Sequence, residues 1–105
     1  MAAQTSEAVA TKRGVSAFTG TDLDHILRAN GVDTVLLAGV ATKLAVEGTA
    51  RQACDTGYDT IVVGNCCAAE DKWTHDAALA ITLPSLCTVT SLDEALAAMG
   101  AGVLV

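Results

Sequence analysis

The most apolar stretch of the chain lies near its middle, where Asp33–Val40 is a nearly continuous run of valine, leucine and alanine. Such a run is typical of a parallel strand that is covered on both faces. From Thr42 onward, apolar residues recur at helical spacing, which predicts a helix that ends at Gly57. Since ligands of open parallel sheets bind beyond the carboxyl ends of the strands, we expect the functional site at the Gly39 turn.

The helix predicted after this turn has an apolar face and a charged face. Four residues at helical spacing would face the sheet: Val46, Ala50, Ala53 and Cys54. Charges of alternating sign follow at four-residue steps and predict ion pairs on another face: Lys43, Glu47, Arg51 and Asp55. We expect Thr42 to cap the helix with its side chain. The free N–H groups of the first turn would then point toward Gly39, where they suit an anion or a developing oxyanion.

Shorter elements precede this central unit. Glu7–Thr11 predicts a short strand that ends at Lys12, and an irregular loop follows. A capping box of Thr21 and Asp24, with apolar residues spaced along the next turns, predicts a helix that ends at Asn30–Gly31.

Strand and helix patterns alternate after the central helix. Thr60–Gly64 predicts a strand, and Asn65–Asp71 a loop beyond its carboxyl end. Lys72–Leu83 predicts a helix, which Pro84 is expected to end. The residues expected on the buried face of that helix are Trp73, Ala77, Ala80 and Ile81.

The carboxyl-terminal part continues the same alternation. Cys87–Thr90 predicts a strand, and a capping box of Ser91 and Glu94 predicts a final helix to Met99. Alternation of this kind implies parallel pairing through right-handed crossovers. We therefore predict a single α/β domain over residues 1–105.

Composition and charge narrow the classes of function. Of the 105 residues, 51% are hydrophobic but only 3% are aromatic, so the core would consist of alanine and aliphatic side chains. A core this thin favours association between copies as a supplement to stability. The formal charge of −6 disfavours a nucleic-acid or anionic-membrane partner. No segment approaches the ~18 apolar residues of a membrane span and no signal-peptide core is evident, so we expect a cytoplasmic protein.

The cysteines do not follow a metal-binding pattern. Cys54, Cys66, Cys67 and Cys87 include no C-x-x-C spacing, and the adjacent pair cannot easily present two ligands to one tetrahedral ion. A lasting disulfide is unusual in a cytosolic protein. We therefore expect reduced structural thiols, with no metal and no cofactor.

Several ordered blocks of residues resemble one enzyme family. The blocks are Lys12–Arg13, Ser16–Phe18, Gly20–Leu23, Leu27–Arg28, Gly39–Thr42, Val46–Glu47, Thr49–Arg51, Gly57–Tyr58, Val62–Val63, Ala68–Ala69 and His75–Leu79. They resemble the isochorismatase-like hydrolases, which include nicotinamidases and N-carbamoylsarcosine amidases. The resemblance implies a three-layer α-β-α fold with a parallel sheet, and hydrolysis by an aspartate, a lysine and a cysteine. It also implies that Lys12 lies at the floor of the active site, although a strand-end lysine paired with an acid is the ordinary interpretation without it.

Two departures from the family pattern bear on activity. Ala45 stands where the cysteine hydrolases carry their nucleophile, and a methyl group cannot form the thioester of their route. The family's catalytic aspartate lies on a first strand before the lysine segment, and we expect this chain to begin after it. We therefore expect a catalytically silent relative that acts as a small-molecule-binding or assembly module. The alternative is an active isochorismatase-type hydrolase, because acid cleavage of a vinyl ether proceeds without the cysteine.

The resemblance implies further roles around the Gly39 turn. Val40–Ala41 corresponds to the family's cis peptide, with the amides of Ala41 and Ala45 as oxyanion donors, and the sequence leaves open whether the bond is cis here. Phe18 and Thr42 are expected in the pocket, although a core position suits Phe18 equally well.

Two further side chains have alternative roles. Trp73 suits the wall of the same pocket or a subunit contact, although packing along its own helix is the more common role for such a residue. His75 matches a family histidine, and we interpret it as structural.

The strand order of the family, 3-2-1-4-5-6, has a consequence for assembly. The strand before Lys12 would be the third and that at Asp33–Val40 the fourth, so the strands between them would be lacking. The apolar edge of Thr34–Ala38 would then need Ala8–Thr11 or another subunit against it. We predict a homo-oligomer, most simply a two-fold dimer, that buries this edge or the helix face nearest it.

Overall fold

The computed structural model describes residues 10–98 and 103–104. The helices in these ranges are α1 (Leu23–Ala29), α2 (Glu47–Asp55), α3 (Lys72–Ala77), α4 (Leu83–Leu86) and α5 (Leu92–Ala98). The strands are β1 (Thr34–Val40), β2 (Asp59–Ala68), β3 (Thr88–Thr90) and β4 (Val103–Leu104). Two wider, π-helical segments, Thr42–Val46 and Ala78–Thr82, lead into α2 and α4.

The strands form one parallel sheet of order β3-β2-β1-β4. The predicted α/β fold with a parallel sheet is therefore confirmed. Val35, Leu36 and Leu37 of β1 are all buried, as expected for a strand covered on both faces. The strand predicted at Glu7–Thr11 lies mostly outside the described residues, and residues 10–12 have no regular secondary structure.

The edge of β1 that we predicted to be open is instead paired by the same chain. Val35 is in register with Val103, and Leu36 with Leu104. On the other side the same two residues pair with Thr60 and Ile61 of β2. The expectation that this part of β1 needs either Ala8–Thr11 or another subunit against it is wrong, because Val103 and Leu104 pair with that edge.

The two faces of the sheet carry cores of unequal size. The larger core packs beneath α1, α2 and α4 and comprises Phe18, Leu27, Val35, Leu37, Val46, Ala50, Ala53, Tyr58, Val62, Cys67, Ala78 and Leu83. In the described residues the core on the other face comprises Leu36, Val63 and Ala95, the last of these from α5. Because successive side chains of a strand point to opposite faces, Leu36 and Leu37 belong to different cores. Helices thus lie on both sides of the sheet, which is the predicted three-layer arrangement.

The turn from β1 into α2 depends on Gly39. Its φ of 133° lies in a region that residues with a side chain rarely adopt, so glycine is required there. Ala41 occupies the cap position of the following segment, without a side-chain cap bond, so the predicted Thr42 cap is wrong. The reason is burial, because Thr42 is 0% exposed and its hydroxyl bonds the side chain of His75 instead.

The predicted faces of α2 are largely confirmed. Val46, Ala50 and Ala53 are buried against the sheet, as their helical spacing predicts. Glu47 and Arg51 form an ion pair at 3.1 Å, one of the pairs expected along the charged face.

The second strand is longer than its pattern indicates. β2 continues through Ala68, across the part of the chain that we predicted as a loop. After a shift in register, Gly39 pairs with Cys67 and Val40 with Ala68. The end of β1 therefore supplies backbone partners that keep the last residues of β2 in the sheet.

The helical region from Lys72 to Leu86 corrects two predictions. Pro84 does not end it, because the proline stands in the first turn of α4, where its missing N–H removes no helical hydrogen bond. Trp73 and Ile81 are 75% and 68% exposed, so the predicted buried face is wrong. The π-helical segment Ala78–Thr82 holds more residues per turn, and Ala78 and Leu83 lie in the core instead.

None of the helices in the described ranges is both long and apolar enough to cross a membrane.

Candidate active site

A small cavity lies beside the Gly39 turn. Its volume is about 150 Å³, and it is lined by Lys12, Ala17, Leu37, Ala38, Val40, Ala45, Val46 and Thr49. The fold thus brings Lys12, Val40 and Ala45 to one place, although the loop, the strand and the helix that carry them are separate in sequence. Thr49 lies one helical turn after Ala45, so its place in the wall follows from the spacing that predicted the helix.

The loop that carries Lys12 is held on α2 by three hydrogen bonds. The Ser16 and Thr19 hydroxyls donate to Oε1 of Gln52, at 2.7 and 2.8 Å. The backbone N–H of Ala17 donates to Oγ1 of Thr49 at 2.9 Å. Ser16 and Thr49 are themselves buried, so the loop is fixed from within the fold.

Lys12 borders the cavity from its rim rather than from its floor. The side chain is exposed, and Nζ donates to the carbonyl oxygens of Gly14 and Val15 at 3.3 and 3.1 Å. None of the ion pairs among the described residues involves Lys12. Its ammonium is therefore held by its own loop. The other described residues that line the cavity are apolar except for Thr49.

The Val40–Ala41 peptide bond is cis. The carbonyl oxygen of Ala41 accepts from the N–H groups of Leu44 and Val46, at 3.1 and 3.2 Å. Val40 borders the small cavity and a larger groove, Ala41 borders only the groove, and Ala45 borders only the small cavity. Ala41 and Ala45, whose amides were expected to form the oxyanion site, thus do not border the same one of these two cavities.

The larger groove runs across the carboxyl ends of β1 and β2. It has a volume of about 760 Å³ and is lined by Val40, Ala41, Lys43, Leu44, Ala68, Ala69, Glu70, Asp71 and Thr74. Lys43 supplies a cation, and Glu70 and Asp71 supply carboxylates. Sequence analysis predicted a functional site at this edge of the sheet, but it did not assign these three charged residues to the site.

Thr42 and His75 join the turn to α3. Oγ1 of Thr42 lies 2.6 Å from Nδ1 of His75. Thr42 borders neither the small cavity nor the groove, although we expected it in the pocket. This contact agrees with the structural role predicted for His75. The residues around Thr42 and His75 gave no indication that these two side chains meet, because they are far apart in the sequence.

The two aromatic side chains that we expected near the pocket lie elsewhere. Phe18 is buried in the larger core, where it stacks on Tyr58 with ring centroids 5.7 Å apart. Trp73 projects from α3 beside a second cavity of about 140 Å³, which Lys43 and Glu47 also border. Phe18 thus occupies the core position that its sequence equally allowed, and Trp73 stays on the surface.

The native thiols offer no ready substitute for a nucleophile at position 45. All four cysteines are free thiols. Cys67 is paired with Gly39 across the sheet, but burial raises the pKa of its thiol. Burial likewise raises the pKa of Cys87 to about 11. Since the thiolate is the reactive form, both groups are poor nucleophiles at neutral pH. Within the described residues, no cluster of His, Cys, Asp and Glu could hold a metal ion.

Comparisons with known proteins agree with this architecture. Residues 1–94 match the family model of the isochorismatase domain. The chain is 36% identical over 88 residues to an uncharacterised isochorismatase family protein, YecD, of Escherichia coli O157:H7. The aligned region covers 84% of this chain and 47% of that protein. It is 40% identical over 79 residues to maleamate amidohydrolase of Pseudomonas putida, covering 75% of this chain and 37% of the enzyme.

Solved structures of isochorismatase-like proteins and nicotinamidases also resemble this chain. An isochorismatase-like hydrolase from Alkaliphilus metalliredigens superposes with a TM-score of 0.89 at 33% identity, over 93% of this chain and 54% of that one. A nicotinamidase from Staphylococcus aureus has a TM-score of 0.73 at 32% identity, over 78% and 52% of the two chains. The chain spans about half the length of the relatives it matches. By sequence and by fold, it belongs to the isochorismatase family of hydrolases.

Proposed function

We propose that this chain binds a small acyl ligand in the cavity beside Lys12 and does not hydrolyse amides through a covalent intermediate. The observation that carries the proposal is that Ala45 and Lys12 line the same cavity. This shared lining supports the proposal that position 45, where the family carries its nucleophile, belongs to the site, and its side chain here is a methyl group. A methyl group has no lone pair with which to attack a carbonyl carbon, so an acyl-enzyme cannot form at this position.

The cavity suits a single small ligand. A volume of about 150 Å³ matches that of an engineered apolar cavity in another protein that binds benzene. The Lys12 ammonium would pair with a carboxylate, while Leu37, Ala38 and Val46 would contact the carbon skeleton. Relatives named as nicotinamidase and maleamate amidohydrolase act on amides of this size, and such amides and their carboxylic acids are the ligand class we propose.

The first experiment is an ammonia-release assay with nicotinamide and with maleamate. We expect no hydrolysis above the rate without protein, and the same result for Ala45→Cys alone. Turnover by the wild-type chain that Lys12→Ala abolishes would contradict the proposal, because it would show a catalytic lysine without the cysteine.

The second experiment measures binding of nicotinate and nicotinamide by NMR. We expect nicotinate to shift the amide signals of Ala45 and Thr49, and Lys12→Ala to weaken its binding by at least about tenfold, equivalent to ~1.4 kcal/mol. Lys43→Ala is the matched control, since Lys43 is a nearby lysine that does not border this cavity. Equal effects of the two lysine variants would place the ligand elsewhere.

A second candidate is acid cleavage of a vinyl ether, which requires no nucleophile at position 45. The presence of alanine there is compatible with this reaction. A proton donor is still needed, and among the residues that the structure describes no carboxyl group lines the cavity. Release of pyruvate from isochorismate by the wild-type chain would favour this candidate over ligand binding alone.

A further inference from the structure

Two of the four cysteines approach each other where the end of α2 packs beside α4. The thiol of Cys54 donates to the carbonyl oxygen of Leu86 at 3.2 Å, and Cys87 is the next residue in the chain. The thiol of Cys87 donates in turn to the carbonyl oxygen of Leu83 at 3.4 Å. Both sulfur atoms thus contact carbonyl groups of the same short helix. Both residues are free thiols and partly exposed, so a small oxidant can reach them.

Covalent geometry limits the distance between the two cysteines. A carbonyl oxygen lies about 2.8 Å from the Cα atom of the following residue, so Sγ of Cys54 is at most about 6 Å from Cα of Cys87. In a disulfide the corresponding distance is about 4 Å. A change of χ1 rotamer moves a sulfur atom by about 3 Å. Rotation of the side chains can therefore close the remaining gap.

The other two cysteines do not offer a comparable pair. Cys66 and Cys67 are adjacent in β2, so their Cα atoms are about 3.8 Å apart, below the ~4.4–6.8 Å of ordinary disulfides. Their side chains also point to opposite faces of the sheet, since Cys67 lies in the larger core and Cys66 beside the smaller one. Cys87 packs against the larger core, so the sheet separates it from Cys66.

We propose that Cys54 and Cys87 form a reversible disulfide when hydrogen peroxide oxidises the chain. The thiolate of Cys54 attacks one oxygen of the peroxide, and the O–O bond breaks. The hydroxide that leaves takes up the thiol proton and becomes water, and Cys54 becomes a sulfenic acid. The thiolate of Cys87 then attacks the sulfur of Cys54, the S–S bond forms, and the S–O bond breaks. The second hydroxide takes up the proton of Cys87, so two thiols are oxidised and the peroxide is reduced to two molecules of water.

The order of these steps follows from the surroundings of Cys87. Burial, and then the neighbouring Cys54, raises the pKa of Cys87 to about 11. Because the thiolate is the reactive form, Cys87 is a poor nucleophile toward a peroxide in solution. Cys54 is therefore oxidised first. Cys87 is held beside the sulfenic acid, and the high effective concentration of a group held in place offsets its small fraction of thiolate.

The disulfide would tie the end of α2 to the start of β3. It closes a loop of residues 54–87, which contains β2, α3 and α4. A cross-link of this kind removes conformations from the unfolded chain, so the oxidised protein should resist unfolding better than the reduced one. Neither cysteine lines the cavity beside Lys12, and the inference is independent of the proposed function.

Peptide mapping of the full chain after brief treatment with hydrogen peroxide tests the pairing. We expect the intact mass to fall by the mass of two hydrogen atoms, and dithiothreitol to restore it. Cleavage before aspartates separates the cysteines into peptides 33–54, 59–70 and 76–92, and the disulfide should join the first to the third. A link that includes peptide 59–70, a link only between separate chains, or oxidised cysteines without any link would overturn the proposal.

Serine variants test the two roles. Cys54→Ser and Cys87→Ser should each lose the link, whereas Cys66→Ser, the matched control at a partly exposed thiol on the other face, should keep it. In Cys87→Ser the sulfenic acid of Cys54 has no thiol to react with, so dimedone should label Cys54. A link that survives in Cys54→Ser or Cys87→Ser, or dimedone labelling of Cys87 rather than Cys54, would contradict the assigned roles.

Urea unfolding shows whether the native fold accommodates the link. We expect the oxidised wild type to unfold at a higher urea concentration than the reduced wild type. Cys54→Ser treated with peroxide in the same way should show no such shift. An oxidised midpoint equal to or below the reduced one would also overturn the proposal, because the link would then not fit the arrangement of α2 and α4 in the folded chain.

Discussion

At the scale of residues, Tyr58 joins three parts of the fold. Its hydroxyl donates a hydrogen bond to Oδ1 of Asp24 at 2.6 Å, and its ring stacks on Phe18. The guanidinium of Arg28 lies 4.8 Å from the ring centroid. The hydrogen bond from Tyr58 lowers the pKa of Asp24 below its ordinary value of 3.8. Burial, and then the same bond, raises the pKa of Tyr58 above 10.0.

These shifts predict how Tyr58→Phe depends on pH. A carboxyl group with a lowered folded pKa adds stability above its unfolded pKa, and that stability is lost as pH falls through the folded value. A phenol with a raised folded pKa adds stability that is lost as pH rises through its folded value. We therefore expect the wild type to exceed Tyr58→Phe in unfolding free energy between pH 3.8 and 10.0, with the difference shrinking below and above this range.

Urea unfolding of both chains from below pH 3.8 to above pH 10.0 is the measurement. Phenylalanine keeps the stack on Phe18, so the comparison isolates the hydroxyl group. Asp24→Asn is the control. In that background, the stability difference between Tyr58 and phenylalanine should no longer shrink at low pH. A difference between wild type and Tyr58→Phe that does not change with pH would contradict the assignment.

At the scale of elements, the contact between α2 and the loop that carries Lys12 determines where Lys12 lies. Gln52 accepts hydrogen bonds from Ser16 and Thr19 through one oxygen. Gly48, one turn earlier, lets the loop approach closely, since a Cβ there would lie 2.9 Å from a methyl carbon of Val15. The position of Lys12 at the cavity is thus set by the surface of a helix distant from it in sequence.

We predict opposite outcomes for two substitutions of Gln52. Gln52→Ala leaves the buried Ser16 hydroxyl without its acceptor and should cost ~1–3 kcal/mol of stability. Gln52→Glu keeps an acceptor oxygen and should remain close to the wild type at neutral pH. Urea unfolding gives the stabilities, and hydrogen exchange at the amides of Ala17 and Phe18 reports whether the loop detaches. Equal losses in both variants would contradict this assignment, because glutamate keeps both the shape of Gln52 and an acceptor oxygen.

At the scale of the whole molecule, the sheet divides the described residues into a large and a small core. Leu37 lies in the large core and Leu36 in the small one, and both are buried. The large core is enclosed by side chains from several helices, so a void there cannot close easily. The small core includes partly exposed neighbours, Ile61 and Cys66, that can move into a vacated space.

This asymmetry predicts different costs for the same substitution at adjacent positions. Leu37→Ala should cost ~2–5 kcal/mol, a large share of the ~5–15 kcal/mol by which domains of this kind are stable. Leu36→Ala is the matched control and should cost less, because its site can partly collapse. The measurement is the free energy of unfolding in urea for both variants. A cost for Leu36→Ala equal to or above that for Leu37→Ala would contradict the division into unequal cores.

Sequence alone determined the parts that depend on local periodicity and on residue identity. Burial on both faces makes β1 continuously apolar, and helical spacing identifies the buried side of α2, so both elements are found from pattern. The family motifs and the alanine at position 45 are likewise explicit in the residues. These features need no knowledge of which distant segments meet.

The tertiary structure decided which segments meet and where a regular period breaks. The regular period breaks at the π-helical segment Ala78–Thr82, and Ala78 and Leu83 are the residues that packing buries. Trp73 stays exposed, although its spacing indicated a buried face. The pairing of β4 with β1, the bond between Thr42 and His75, and the shared cavity of Lys12 and Ala45 join positions far apart in the chain. Such contacts form because the packed sheet brings these positions together, and nothing in the neighbouring residues encodes them.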